Sequence, residues 1–229
     1  MLDFGRYEYL TFDCYGTLID WERGILTAIR PVLAKHGVTI SDDELLERFG
    51  DLESEAERDY RSYKETLGVV MDGFARHYGF ALAPGERESL AASVGNWPPF
   101  ADSIEALGIL ASRYKLVILS NIDDDLFALS AKHLQVQFAE VITAQQVGSY
   151  KPNHGHFRVA LERLGVPKER ILHVAQSLFH DIVPAKEMGF TTVWVNRRHD
   201  RPGFGATPQA EARPDLEVPS LRALAEMTK

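Results

Sequence analysis

The chain has 229 residues, a single cysteine and a formal net charge of −8. That length holds one generous domain, or a core domain with a modest insertion, and a lone Cys14 excludes an internal disulfide or a cysteine-rich zinc motif. The acidic balance argues against nonspecific nucleic-acid binding, which rests on phosphate neutralisation by Lys and Arg. With no signal-peptide layout and no apolar run near the ~20 residues of a membrane helix, the expectation is a soluble cytoplasmic protein with a small-molecule partner and no membrane.

Tyr9 to Asp13 is a β-like apolar run that ends at a carboxylate and passes into a turn at Gly16. It places Asp13 at the carboxyl edge of a strand, where open α/β sheets bind ligands, although such aspartates also cap helices and make turns. From Ile19 to Ser93 the pattern changes. Ile25 to His36, Asp42 to Phe49 and Leu52 to Tyr78 carry apolar residues three and four apart, as helices do. Gly95 to Phe100, with paired prolines, reads as the hinge by which the chain returns. The expected division is a core of residues 1–18 and 95–229 with a helical insertion at 19–94.

Leu116 to Ser120, Glu140 to Thr143, Ile171 to Ala175 and Thr191 to Val195 are further apolar runs, each followed by a polar, helix-like stretch. The rhythm predicts an α/β protein, a Rossmann-like doubly wound parallel sheet with an inserted helical cap domain. Arg197 to Pro219, rich in Gly, Pro and Arg, reads as surface loop before a short helix at Leu221 to Met227.

Three later segments carry candidate chemistry beside Asp13. Ser120 and Asn121 follow the second run, where a hydroxyl and backbone N–H groups can hold an anion or simply cap a helix. Lys151 sits in a loop after the third; an isolated lysine is usually solvated, but next to a carboxylate it keeps that carboxylate ionised. Asp181 follows Ser177 by four residues at the end of the fourth run, as a helix cap or as a partner that positions Lys151.

In order and character these four segments resemble the four motifs of the haloacid dehalogenase superfamily, and Asp13-x-Tyr15-Gly16-Thr17 resembles its opening motif. The resemblance implies that Asp13 is a nucleophile. Most members are magnesium-dependent phosphatases, which place an aspartate two residues after the nucleophile and an aspartate before the serine of the fourth motif. Here those positions are Tyr15, whose phenol is poorly matched to proton shuttling near neutral pH, and Gln176, a neutral amide.

The combination is similar to the L-2-haloacid dehalogenases of the superfamily. It implies displacement of halide from a 2-haloacid by Asp13, with inversion, through an aspartyl ester that water hydrolyses, and with no cofactor. Thr17, Ser120 and Lys151 are expected to orient Asp13 or bind the substrate carboxylate. Asp181 is expected to steady Lys151 and help activate water, Asn121 to border the halide, and Tyr15 to line the pocket. The family's fourth motif reads Ser-Ser-Asn with an aspartate three residues later, so Gln176, Ser177 and His180 compete as water-positioning residues.

The family also uses a cap arginine, for which Arg23, Arg48, Arg58 and Arg61 are available. Trp21, Tyr60 and Trp97 are candidates for an apolar halide pocket or for core packing. A homodimer is implied by the resemblance alone. The alternative is a magnesium-dependent phosphatase acting on a small phosphate monoester, and a third reading is a binding module that has lost its chemistry.

Overall fold

The computed structural model describes residues 2–201 and 203–229. Six strands, β1 (Tyr9–Phe12), β2 (Lys115–Ser120), β3 (Glu140–Thr143), β4 (Ile171–Ala175), β5 (Thr191–Val195) and β6 (Leu216–Val218), form one parallel sheet in the order β3-β2-β1-β4-β5-β6. The order reverses beside β1, which makes the carboxyl ends of β1, β2 and β4 the switch point of a doubly wound sheet. The fold class matches expectation. The tail differs, because β6 adds an edge strand within the stretch read as loop.

Both faces of the sheet are covered, which explains its nearly continuous apolar strands. Leu10, Phe12, Leu116, Ile118, Leu172 and Val174 point into the larger core. There they meet α5 (Ser103–Ala111), α6 (Asp124–Leu134) and α10 (Leu221–Met227). Tyr9, Val117, Leu119 and Ile171 face the other way, toward α8 (Gly155–Leu164) and α9 (Val183–Glu187). The short α7 (Ala144–Val147) leads from β3 into the loop that carries Lys151.

Four helices lie between β1 and the return hinge: α1 (Trp21–Lys35), α2 (Asp42–Ala56), α3 (Tyr63–Tyr78) and α4 (Glu86–Ser93). Ile25, Ile29, Val32 and Leu33 on α1 show the helical spacing that buries one face. The sequence reading broke α2 near residue 50 and ran the next helix from Leu52. The structure instead breaks the chain at 57–62, where Ser62 caps α3 by accepting from the Glu65 N–H at 3.3 Å.

The chain's two passages between sheet and insertion are tied together. Asp20 N–H donates to Pro98 O at 2.8 Å, Phe100 N–H to Leu18 O at 3.0 Å, and Ile19 and Pro99 pair as an antiparallel bridge. Trp97 packs from this hinge onto α1, where a Cβ at Gly24 would lie 2.3 Å from its Cγ. Gly24→Ala is therefore expected to destabilise the fold by about 1–3 kcal/mol through overpacking, read as a fall of several degrees in Tm.

Candidate active site

Asp13 is the first residue past β1, and its N–H still donates to Val174 O at 3.2 Å, so the neighbouring strand fixes its backbone. Gly16 then turns the chain at φ +92°, a conformation that other residues rarely adopt. Space adds to the constraint, since a Cβ there would meet Gln176 Oε1 at 2.9 Å and Trp21 Nε1 at 3.0 Å. Thr17 donates from Oγ1 to Asp13 Oδ2 at 2.7 Å and accepts from Gln176 N–H at 2.9 Å, which links the first and fourth segments.

Lys151 is almost wholly buried and spends all three ammonium hydrogens. Its Nζ donates to Asp13 Oδ1 at 3.0 Å, Asp181 Oδ1 at 2.7 Å and Leu119 O at 2.8 Å. Asn121 holds the backbone of the same lysine from both sides. Its Oδ1 accepts from Lys151 N–H at 2.7 Å, and its Nδ2 donates to Lys151 O at 3.0 Å.

Asp181 rides on a single π turn (Leu178–Ile182), a local widening that often accompanies functional sites. Behind it, His173 Nε2 lies 3.1 Å from Asp181 Oδ1, while its Nδ1 meets Thr11 Oγ1 at 3.0 Å.

Burial pushes the Asp13 carboxyl up and the nearby Asp181 adds to this, against the opposing pull of Lys151 and Thr17. Burial disfavours the Lys151 charge too, but Asp13 and Asp181 outweigh it and hold the ammonium above its usual range. Asp181 escapes its own desolvation because Lys151 and His173 bring it down to about 2. With both carboxylates ionised, the triad Asp13–Lys151–Asp181 carries one surplus negative charge.

The triad floors a cavity of about 30 Å³, room for roughly two waters or a ligand of a few heavy atoms. Ser120 lines it, and its hydroxyl is fully buried without a partner. Trp21, Gln176, Ser177, His180 and Thr207 contribute walls, and α2 and α3 contribute Glu53, Glu57 and Tyr63. Burial drives His180 down to about 4, leaving a neutral imidazole whose Nδ1 is 3.2 Å from Ser177 Oγ.

All nine residues singled out as catalytic or substrate-binding lie in or beside this cavity, and their chemical duties are distributed unevenly. Tyr15 presents its ring to the cavity while its hydroxyl is 2.8 Å from Ser130 Oγ, away from Asp13. Asn121 uses its amide on Lys151, and Ser177 accepts from His180 N–H at 2.9 Å as a cap. Gln176 Oε1 accepts from Thr207 Oγ1 at 3.4 Å.

Among the aromatic candidates Trp21 lines the cavity, Trp97 is core, and Tyr60 is 43% exposed and outside it. None of Arg23, Arg48, Arg58 and Arg61 lines the cavity. Sequence reasoning missed Glu53, Glu57, Tyr63, Thr11 and His173; the polar Thr11 and His173 inside otherwise apolar central strands were the available signal for the last two.

Magnesium demands a near-octahedral set of hard oxygens. Here Lys151 occupies Oδ1 of both aspartates and Gln176 offers only an amide. Among the described residues no group of three His, Cys, Asp or Glu is arranged to hold a metal ion. The donor set does not fit a magnesium site.

A family model for haloacid dehalogenase-like hydrolases matches residues 7–189. An (S)-2-haloacid dehalogenase of Pseudomonas fluorescens is 28% identical over 227 residues, covering 95% of this chain and 93% of that protein. One from Burkholderia cepacia is 26% identical over 204 residues, 86% of each. The L-2-haloacid dehalogenase of Xanthobacter autotrophicus superposes with a TM-score of 0.78 at 21% identity, over 96% of this chain and 98% of that one. The L-2-haloacid dehalogenase PA0810 gives 0.80 at 22%, over 96% and 98%. Sheet order, helical insertion, buried aspartate–lysine–aspartate triad and family model agree, and the chain belongs to the haloacid dehalogenase-like hydrolases.

Proposed function

We propose that the protein is an (S)-2-haloacid dehalogenase acting on short 2-haloalkanoic acids, with residues 19–94 forming a cap over a core of 1–18 and 95–229. The observation that carries the reading is the Lys151 ammonium 3.0 Å from Asp13 and 2.7 Å from Asp181, an organic cation between the two carboxylates. Full-length relatives that bear this activity support it.

In the first step an Asp13 carboxylate oxygen attacks C2 in line with the carbon–halogen bond. The new C–O bond forms as the C–X bond breaks, and the halide departs with its electron pair, needing no proton. Thr17 and Lys151 hold the carboxylate by one oxygen each, which fixes its plane for that approach. In the second step water adds to the Asp13 carboxyl carbon. The acyl–oxygen bond breaks, and the 2-hydroxy acid leaves with inverted configuration while a proton is released. Asp181 Oδ2, buried and without a partner, and the neutral His180 are the groups placed to orient that water. No step requires a metal.

Single turnover of (S)-2-chloropropionate in H₂¹⁸O with EDTA tests this. The label is expected in the Asp13 carboxylate and not in the first equivalent of product, with chloride release undiminished by chelation. Magnesium-stimulated hydrolysis of a phosphate monoester, with no halide from any haloacid, would overturn the reading.

A further inference from the structure

A 2-haloacid enters this cavity as an anion, and few donors are left to receive its carboxylate. Lys151 has no hydrogen to spare, and Asn121 divides its Nδ2 between Lys151 O and Glu57 Oε1, at 3.0 and 3.4 Å. The fully buried Ser120 hydroxyl, unpartnered and lining the cavity, is one donor waiting for a ligand. The helical insertion supplies no arginine beside it. It supplies Glu53 and Glu57, one turn apart, Glu53 buried and Glu57 with a side chain only 8% exposed.

Charge on both glutamates conflicts with their placement. They are i,i+4 neighbours, so their like charges repel, and Glu57 ends α2, where the helix dipole disfavours an anion. The groups facing Glu57 are Glu53 from its own helix, Tyr63 of α3, Asn121 after β2, Tyr150 and Lys151 from the loop before α8, and His180 of the π turn. Lys151 is the one cation among them and is committed to Asp13 and Asp181. Burial and then Glu53 push Glu57 well above the carboxylate range, while Lys151 and Asn121 oppose them. Burial lifts Glu53 to about 8, despite the Tyr63 hydroxyl donating to its Oε1 at 2.5 Å.

We propose that Glu57 binds the substrate carboxylate as a neutral carboxylic acid, donating a hydrogen bond from the cap where a cationic side chain would otherwise supply charge. The proposal rests on the dehalogenase reading for its substrate. It makes recognition acid-dependent: below its titration Glu57 donates, and as pH rises through it the donor becomes a repelling anion. Ser120 supplies the second hydrogen bond from the end of β2.

The test is the pH dependence of KM for (S)-2-chloropropionate, with the Kd of propionate, which binds without reacting, as an independent readout. In the native protein both are expected to rise at least about tenfold as pH is raised across the range in which the protein stays folded, a change worth one pKa unit. In Glu57→Gln, whose amide donates at every pH, the rise falls to less than about threefold, and in Glu57→Leu both constants are weak at all pH. A native protein with pH-independent KM and Kd overturns the proposal, as does an alkaline limb unchanged in Glu57→Gln. Propionate binding that follows this pattern without halide release from any haloacid leaves Glu57 its role and removes the dehalogenase reading. Halide release with flat KM and Kd does the reverse.

Discussion

Asp13→Asn is expected to lower halide release by about 10⁴-fold or more, because the amide is a far weaker nucleophile than the carboxylate and no neighbouring group can replace it. Asp181, the other aspartate of the triad, has its Oδ1 held by both Lys151 and His173. Stability should respond in the opposite sense. The asparagine Oδ1 can still accept from Lys151, with its Nδ2 turned to donate to Thr17 Oγ1, while the substitution removes the surplus charge and leaves Lys151 and Asp181 as a balanced pair. Thermal melting is therefore expected to show an unchanged or raised Tm alongside the inactive enzyme. Halide release within tenfold of the native rate would remove Asp13 from the chemistry.

Lys151→Met should damage both properties at once. Methionine fills the space of the lysine stem, but Asp13 and Asp181 then lie buried without their shared cation, and Leu119 O loses its donor. Breaking a buried ion pair from one side costs about 3–5 kcal/mol, which for a chain of this size lowers Tm by about 10 °C. The rate should fall by about 10³-fold, since the carboxylate loses the group that orients it and keeps it ionised. Adding Asp181→Asn to Lys151→Met should recover part of the Tm and none of the rate. Equal recovery of both would mean that Lys151 acts only by holding the fold.

The sheet was legible because its strands are short apolar runs bounded by polar helices. β3, β4 and β5 occupy the expected residues, and β1 and β2 differ by one at an end. β6 was not legible: three residues at an edge, one of them exposed, follow a Gly- and Pro-rich segment and carry too little apolar signal. The displaced break between α2 and α3 had a local sign, Ser62 with Glu65 three residues on, which the continuing apolar spacing concealed. Asp13, Thr17, Ser120, Lys151 and Asp181 were readable because the switch point gathers strand ends that are remote in sequence. Glu53 and Glu57 were not, since acidic residues on an amphipathic helix ordinarily face water; only the packing of α2 over the strand ends turns them inward.

The surplus charge of the resting triad has a consequence for the catalytic cycle. Alkylation converts Asp13 into an uncharged ester, after which Lys151 and Asp181 neutralise one another within 2.7 Å. In the alkylated halfway species the triad itself is thus balanced, the remaining negative charge being the substrate's own carboxylate, and it is turnover by water that must restore the imbalance. The strain of burying an unmatched anion is relieved as the carbon–halogen bond is cut and returns at hydrolysis, so the fold favours the displacement step and places its cost on the step that water drives.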